Sequence, residues 1–147
     1  MSAERVLLVR VGEERFAFPL AGIIEAVDAP VVTSVALPPP GVIGQCSHRG
    51  RLLPVLDLGA LLGVPRSGGV GALLVLDADG ERAALLVDDV LDALVTEASM
   101  RRPVPLTGAN AAGLLDGVIA LPSGLAASVD LGVLRATILS RLTMEVG

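Results

Sequence analysis

The sequence predicts a mainly β protein, two small barrels in tandem followed by one short C-terminal helix. Three features carry that expectation. About ten short runs rich in Val and Leu alternate with turn formers, the pattern of small barrels rather than of alternating strands and helices. A breaker-rich stretch, Val64-Pro65-Arg66-Ser67-Gly68-Gly69, lies near the midpoint and reads as a boundary. Finally, runs such as Ala72–Leu76 and Ala83–Val87 are apolar on both faces. An antiparallel strand commonly turns one face to water, so these strands need cover on both sides, as where two barrels pack together.

The elements follow in order. Arg5–Val11 is the first strand, and Gly12-Glu13-Glu14 turns the chain into Phe16-Ala17-Phe18-Pro19-Leu20, which Pro19 ends or confines to an edge. Ile23–Val27 and Val31–Val35 are short elements around Pro30, and Pro38-Pro39-Pro40 forces an extended connection. Arg51–Leu56 reads as a strand interrupted at Pro54. Asp57 is placed to cap a helical turn, Leu58–Leu62, closed by Gly63. The clearest hairpin joins Gly71–Leu76 to Arg82–Val87 through Asp77-Ala78-Asp79-Gly80, where Asp-Gly suits the positive φ of a tight turn. Val90–Val95 continues the meander. A loop from Arg101 to Gly113 leads to Leu114–Leu121 and, past Pro122-Ser123-Gly124, to Leu125–Val129. Asp130 then caps a helix over 131–142 with apolar Leu131, Leu134, Ile138 and Leu142. These runs divide into sub-barrels of about residues 5–66 and 70–130.

Composition removes several chemistries. All eleven basic residues are Arg, so neither a Walker-type phosphate loop nor Schiff-base catalysis is available. A single Cys (Cys46) and a single His (His48) cannot build a Cys/His zinc site or an intrachain disulfide. A net charge of −5 and only two aromatics, Phe16 and Phe18, argue against nucleic acid. The longest charge-free stretch, Ala29–Ser47, holds three consecutive prolines and cannot be a spanning helix. A soluble cytoplasmic protein is expected, with no metal and no cofactor.

Candidate chemistry is sparse. Cys46-Ser47-His48 places a nucleophile and a base on one face of an extended segment, but no third residue or oxyanion loop accompanies them. A small buried Cys beside a half-exposed His is the commoner arrangement. Asp77-Ala78-Asp79-Gly80-Glu81 lacks the ligand spacing of a calcium loop and reads as a solvated hairpin tip. Asp88 and Asp89, on opposite faces, read as a charged strand end. Arg49-Gly50 is the one polar feature that looks placed, since a planar guanidinium suits interface hydrogen bonding.

The run Gly44-Gln45-Cys46-Ser47-His48-Arg49-Gly50-Arg51-Leu52-Leu53-Pro54-Val55-Leu56-Asp57-Leu58 resembles the central motif of the CheW family of chemotaxis coupling proteins. Phe16–Leu20, Ile24–Val27, Ala84–Val90, Arg102–Pro105 and Gly117–Leu121 with Val129–Leu131 resemble further family segments in the same order. The resemblance covers about Val6 to Leu142 and implies a single CheW-like domain over 1–147. Its fold would be two SH3-like five-stranded barrels sharing a hydrophobic core. It also implies a non-enzymatic adaptor between the regulatory domain of a CheA-type histidine kinase and the cytoplasmic tip of a chemoreceptor, recruited to receptor arrays. By position, Glu25, Val27, Arg49, Gly50, Pro54 and Val104 would be its partner-binding residues. Gln45, Cys46, Ser47 and His48 depart from the family pattern, which has aliphatic residues and Asn-Leu before Arg-Gly. That departure suggests an alternative, a divergent member in a gliding or pilus motility pathway that binds one partner or a different regulator.

Overall fold

A computed structural model describes residues 3–28, 31–103 and 113–143. Among them, eleven strands and two α-helices follow one another. The strands are β1 (Ala3–Val11), β2 (Glu14–Pro19), β3 (Ile23–Asp28), β4 (Val42–His48), β5 (Arg51–Asp57), β6 (Ala72–Ala78), β7 (Glu81–Val87), β8 (Asp89–Glu97), β9 (Arg101–Arg102), β10 (Leu115–Leu121) and β11 (Gly124–Val129). The helices are α1 (Leu58–Leu62) and α2 (Leu131–Leu142).

Local signals act where the sequence places them. The Asp57 carboxylate accepts from the Gly59 and Ala60 amides, and Gly63 closes α1 at φ +73°. Asp130 accepts from the Val133 amide to start α2. Asp79 and Gly80, at φ +56° and +92°, form the turn between β6 and β7. Arg135 of α2 donates to the Asp77 carbonyl at 3.1 Å, which ties the helix to that hairpin.

The pairing corrects the expected division at 66/70. One sheet runs β8-β1-β2-β11-β10-β9 and the other β3-β6-β7-β5-β4. The middle of the chain thus forms one sheet, and the two ends form the other, joined by a parallel pairing of β2 with β11. The breaker-rich stretch 64–69 is a turn between α1 and β6 within one sheet, because Gly and Pro mark turns without specifying what pairs beyond them. The chain changes sheets instead at the short 3-10 turn Leu20–Gly22 and at Asp88. The sheets hold six and five strands, the sixth being the two-residue β9. Pro54 does not interrupt β5, since the parallel ladder to β7 begins one residue later, at Val55. Val31–Val35 is reduced to a single bridge, Thr33 to Gln45.

Three apolar clusters explain the two-faced strands. Leu73 and Val75 of β6 pack with Leu53, Val55, Ala84 and Leu86 inside the second sheet. Val6, Leu8, Ala17, Ile119 and Ala126 fill the first. Leu74 and Leu76 point the other way, into a core between the sheets with Phe18, Leu56, Leu85, Leu134 and Ile138. Alternate residues of β6 and β7 therefore serve different cores, and neither face meets water.

Asp88 sits at the second crossing and is more than the charged strand end the sequence suggested. Its side chain is 1% exposed. It accepts from the amides of Gly12 (2.6 Å) and Ser67 (2.8 Å) and from Arg66 (3.1 Å), with Arg10 at 3.9 Å. Burial alone would raise its pKa. The two amides and the two guanidinium groups outweigh burial and hold the carboxyl below its ordinary value.

Candidate functional site

β3 and β4 are the two outer strands of the second sheet, and β4 joins β5 through Arg49-Gly50. His48 pairs with Arg51, so only two residues make the turn, at φ +50° and +78°. Those angles match the tight hairpin turn whose twist fits the strands, and Gly50 adopts its value without penalty. For Arg49 the left-handed conformation costs roughly 1 kcal/mol. Backbone strain of this kind gathers at functional positions.

The strained Arg49 reaches Glu25 on β3, donating from Nε at 3.2 Å and Nη2 at 3.0 Å to Oε1. His48 Nε2 lies 2.7 Å from the same oxygen. Alternation along β3 turns Glu25 and Val27 to the same side, and alternation along β4 buries Cys46 and His48 while exposing Ser47. Hydrogen bonds from His48 and then Arg49 lower the Glu25 pKa from its ordinary value, against a smaller opposing effect of burial. Glu25 is therefore an ionised acceptor that bridges the two outer strands by side chains.

A second link closes the same gap. Thr33 and Gln45 exchange both backbone hydrogen bonds at 2.8 Å, which lays the segment after β3 along β4. Gly44 makes this possible, because a Cβ there would stand 2.3 Å from the Thr33 carbonyl oxygen. Between the links opens a cavity of about 350 Å³. Val27, Leu73 and Val75 give it apolar walls, and Gln45, Cys46, Ser47 and His48 all border it.

The expected residues divide accordingly. Glu25, Arg49 and Gly50 meet at one turn, with Val27 beside them on the cavity wall. Pro54 stands opposite Gln45 on β5, half-buried and apart from the charged cluster. Val104 lies outside the described residues. The sequence missed His48 as a third member of the Glu25 cluster and Thr33 as the partner of Gln45. The only signal for the first was that His48 adjoins Arg49, and nothing in sequence pointed to the second.

Cys46 and His48 do share a face, as expected of an extended segment, but they form no reactive couple. Nε2 of His48 is taken by Glu25 and Nδ1 has no partner. Burial pushes the Cys46 thiol up, away from the thiolate that nucleophilic attack requires. Among the described residues no group of three or more His, Cys, Asp or Glu side chains could hold a metal ion. None of the described helices is long and apolar enough to cross a membrane.

Two β sheets pack on a shared core, and a charged turn is braced by Glu25 at the outer edge of one of them. Comparison with known proteins gives the class. The family model of the CheW-like domain matches residues 5–136. Protein FrzA of Myxococcus xanthus is 34% identical over 112 residues, which cover 75% of this chain and 70% of that protein. In fold, the scaffolding protein TtCheW from Thermoanaerobacter tengcongensis is similar with a TM-score of 0.77 at 19% identity, over 89% of this chain and 86% of that one. The chain belongs to the CheW-like family of scaffold or adaptor domains, and its fold is the two-unit SH3-like fold of that family.

Proposed function

We propose that this protein is a non-enzymatic adaptor of chemosensory signalling. It couples the regulatory domain of a CheA-type histidine kinase to the cytoplasmic tip of a chemoreceptor and is recruited with them to receptor arrays. The observation that carries this reading is the Arg49–Glu25 pair on a strained turn, within a chain of the CheW-like family. The Arg49 side chain is 72% exposed, so most of its guanidinium is free to meet a partner while Glu25 fixes its direction. Val27 and Gly50 complete the surface by position, Pro54 flanks it on β5, and Val104 is assigned by resemblance alone.

The test is direct. The purified protein, mixed with its cognate kinase and receptor tips, should elute from size exclusion as a ternary complex. Arg49→Glu should weaken at least one of the two interactions about tenfold while the melting temperature stays within a few degrees. If neither partner binds at micromolar concentration, the adaptor reading fails.

A second reading is favoured by Gln45, Cys46, Ser47 and His48, which depart from the family pattern and all line one cavity beside Arg49. In that reading the protein serves a gliding or pilus pathway and binds one of the two partners or another regulator. A binary complex in place of the ternary one supports it, particularly if restoring the family residues at 45–48 regains the missing partner.

A further inference from the structure

We infer that His48 is a positioning residue for recognition at the β4–β5 turn: from the buried side it holds the Glu25 carboxylate, and the carboxylate so held aims the Arg49 guanidinium at a partner. This deepens the adaptor reading and rests on it for the partner, whereas the brace itself is a property of the chain alone.

Three donors converge on one oxygen. Glu25 Oε1 accepts from Arg49 Nε at 3.2 Å and Nη2 at 3.0 Å, and His48 Nε2 lies 2.7 Å from it. Glu25 is ionised and can only accept, so Nε2 carries the hydrogen whether the ring is neutral or protonated. The three side chains run outward in order of exposure, 9% for His48, 36% for Glu25 and 72% for Arg49. The innermost is also the most firmly placed. His48 is buried within the ladder of β4, opposite Arg51, and its short ring has two torsions, against the longer chains of Glu25 and Arg49.

That order matters because an exposed Arg–Glu pair holds itself together poorly. Water competes for both groups, and ordering two long side chains offsets most of their attraction. A donor fixed beneath the carboxylate removes part of that freedom before any partner arrives, so less is lost on binding. Arg49 then commits Nε and Nη2 to Glu25. Its Nη1 has no hydrogen bond among the described residues and is left for an acceptor oxygen of the partner.

Packing alone gives no reason for a histidine here. Nδ1 is buried without a hydrogen-bond partner, a penalty that leucine, the residue of the family pattern at this position, would not carry. The contact with Glu25 is the polar interaction that sets His48 apart from such a leucine.

The Arg49 Nε–H resonance, identified by its absence from Arg49→Gly, reads the brace in the isolated protein. It should exchange with water about tenfold more slowly than that of the exposed Arg51. His48→Leu should abolish most of this protection. His48→Gln, whose amide nitrogen takes the place of Nε2, should keep it, and His48→Asn, whose shorter amide cannot reach Glu25, should lose it. Equal protection in the wild type and these variants overturns the inference. Should His48→Leu fail to fold, the Gln and Asn variants decide by the same comparison. In binding, His48→Leu should weaken whichever partner Arg49→Glu weakens by about fivefold, and by nothing further in a Glu25→Ala background. An equal loss in both backgrounds means a general disturbance of the site instead of positioning through Glu25, and overturns the inference. If the wild type binds neither kinase nor receptor tip, the adaptor reading fails, and the Nε–H comparison alone decides whether His48 holds Arg49.

Discussion

Asp88 and Glu25 each gather an arginine and at least one further donor, yet one side chain is 1% exposed and the other 36%. Asp88 stands where the chain passes from one sheet to the other and pins two further loops to that crossing, through the Gly12 amide on one and the Ser67 amide and Arg66 guanidinium on the other. Glu25 stands on an outer strand and bonds two side chains of a single turn, one of them largely in water. A carboxylate out of water, whose loss would orphan buried donors, is part of what holds the fold together. The same group at the surface adds little to stability but fixes where a cation points. One small molecule thus holds a buried ion pair that ties its loops together and an exposed one that orients Arg49, the residue proposed to meet a partner.

The largest expected effect breaks the buried side of this comparison. Asp88→Ala should lower the unfolding free energy by about 3 kcal/mol in urea titrations, because two amides and a guanidinium lose their acceptor together. The pH dependence sharpens it. The folded pKa of Asp88 lies below the ordinary 3.8, so its contribution is complete above that value and is lost as pH falls through the depressed one. The stability gap between wild type and Asp88→Asn should therefore narrow on acidification below 3.8. A gap that widens would refute the assignment.

A middle-sized effect belongs to the link beside Glu25. Gly44→Ala sets a Cβ 2.3 Å from the Thr33 carbonyl oxygen and must push the segment after β3 away from β4. Two backbone hydrogen bonds go with it, at a cost of about 2 kcal/mol. Hydrogen exchange should show the Thr33 and Gln45 amides losing protection while Gly12 and Ser67 keep theirs. Protection lost equally at both places would mean that the two regions are not separable.

The smallest effect on stability is expected at Arg49. Arg49→Gly relieves about 1 kcal/mol of left-handed strain and loses a similar amount to the flexibility of glycine in the unfolded chain. The melting temperature should barely move while partner binding falls as far as in Arg49→Glu. A stabilised variant that binds normally would show Arg49 to be a strained turn residue and nothing more.

Much of the local structure was legible because it follows from neighbouring residues. Asp57 and Asp130 cap helices since their carboxylates reach amides two or three residues on. The Asp79-Gly80 turn and the two-faced apolar strands were equally plain. The division at 64–69 failed for a physical reason: a cluster of Gly and Pro says that the chain bends, while the sheet it enters depends on packing against distant residues. The site was half legible. Resemblance marked Glu25 and Arg49 by position, but their contact, 24 residues apart in sequence, appears only once β3 and β4 lie at the open side of one sheet. Asp88 looked like any charged strand end because burial is not a property of its neighbours.

By itself, then, the sequence determined most of the elements, the caps at Asp57 and Asp130, the Asp79-Gly80 turn, the demand for cover on both faces of β6 and β7, and the family, but neither strand β4 nor its turn at Arg49-Gly50. The features it determined are short-range matters of backbone sterics, hydrogen-bond reach and apolar periodicity. Tertiary structure alone decided that β1, β2 and β8 to β11 share a sheet, that Asp88 is buried at the crossing, and that Gln45 through His48 border a cavity that Thr33 also lines. Each of these depends on which distant strands meet, a choice settled by the joint burial of three apolar cores that no single segment encodes.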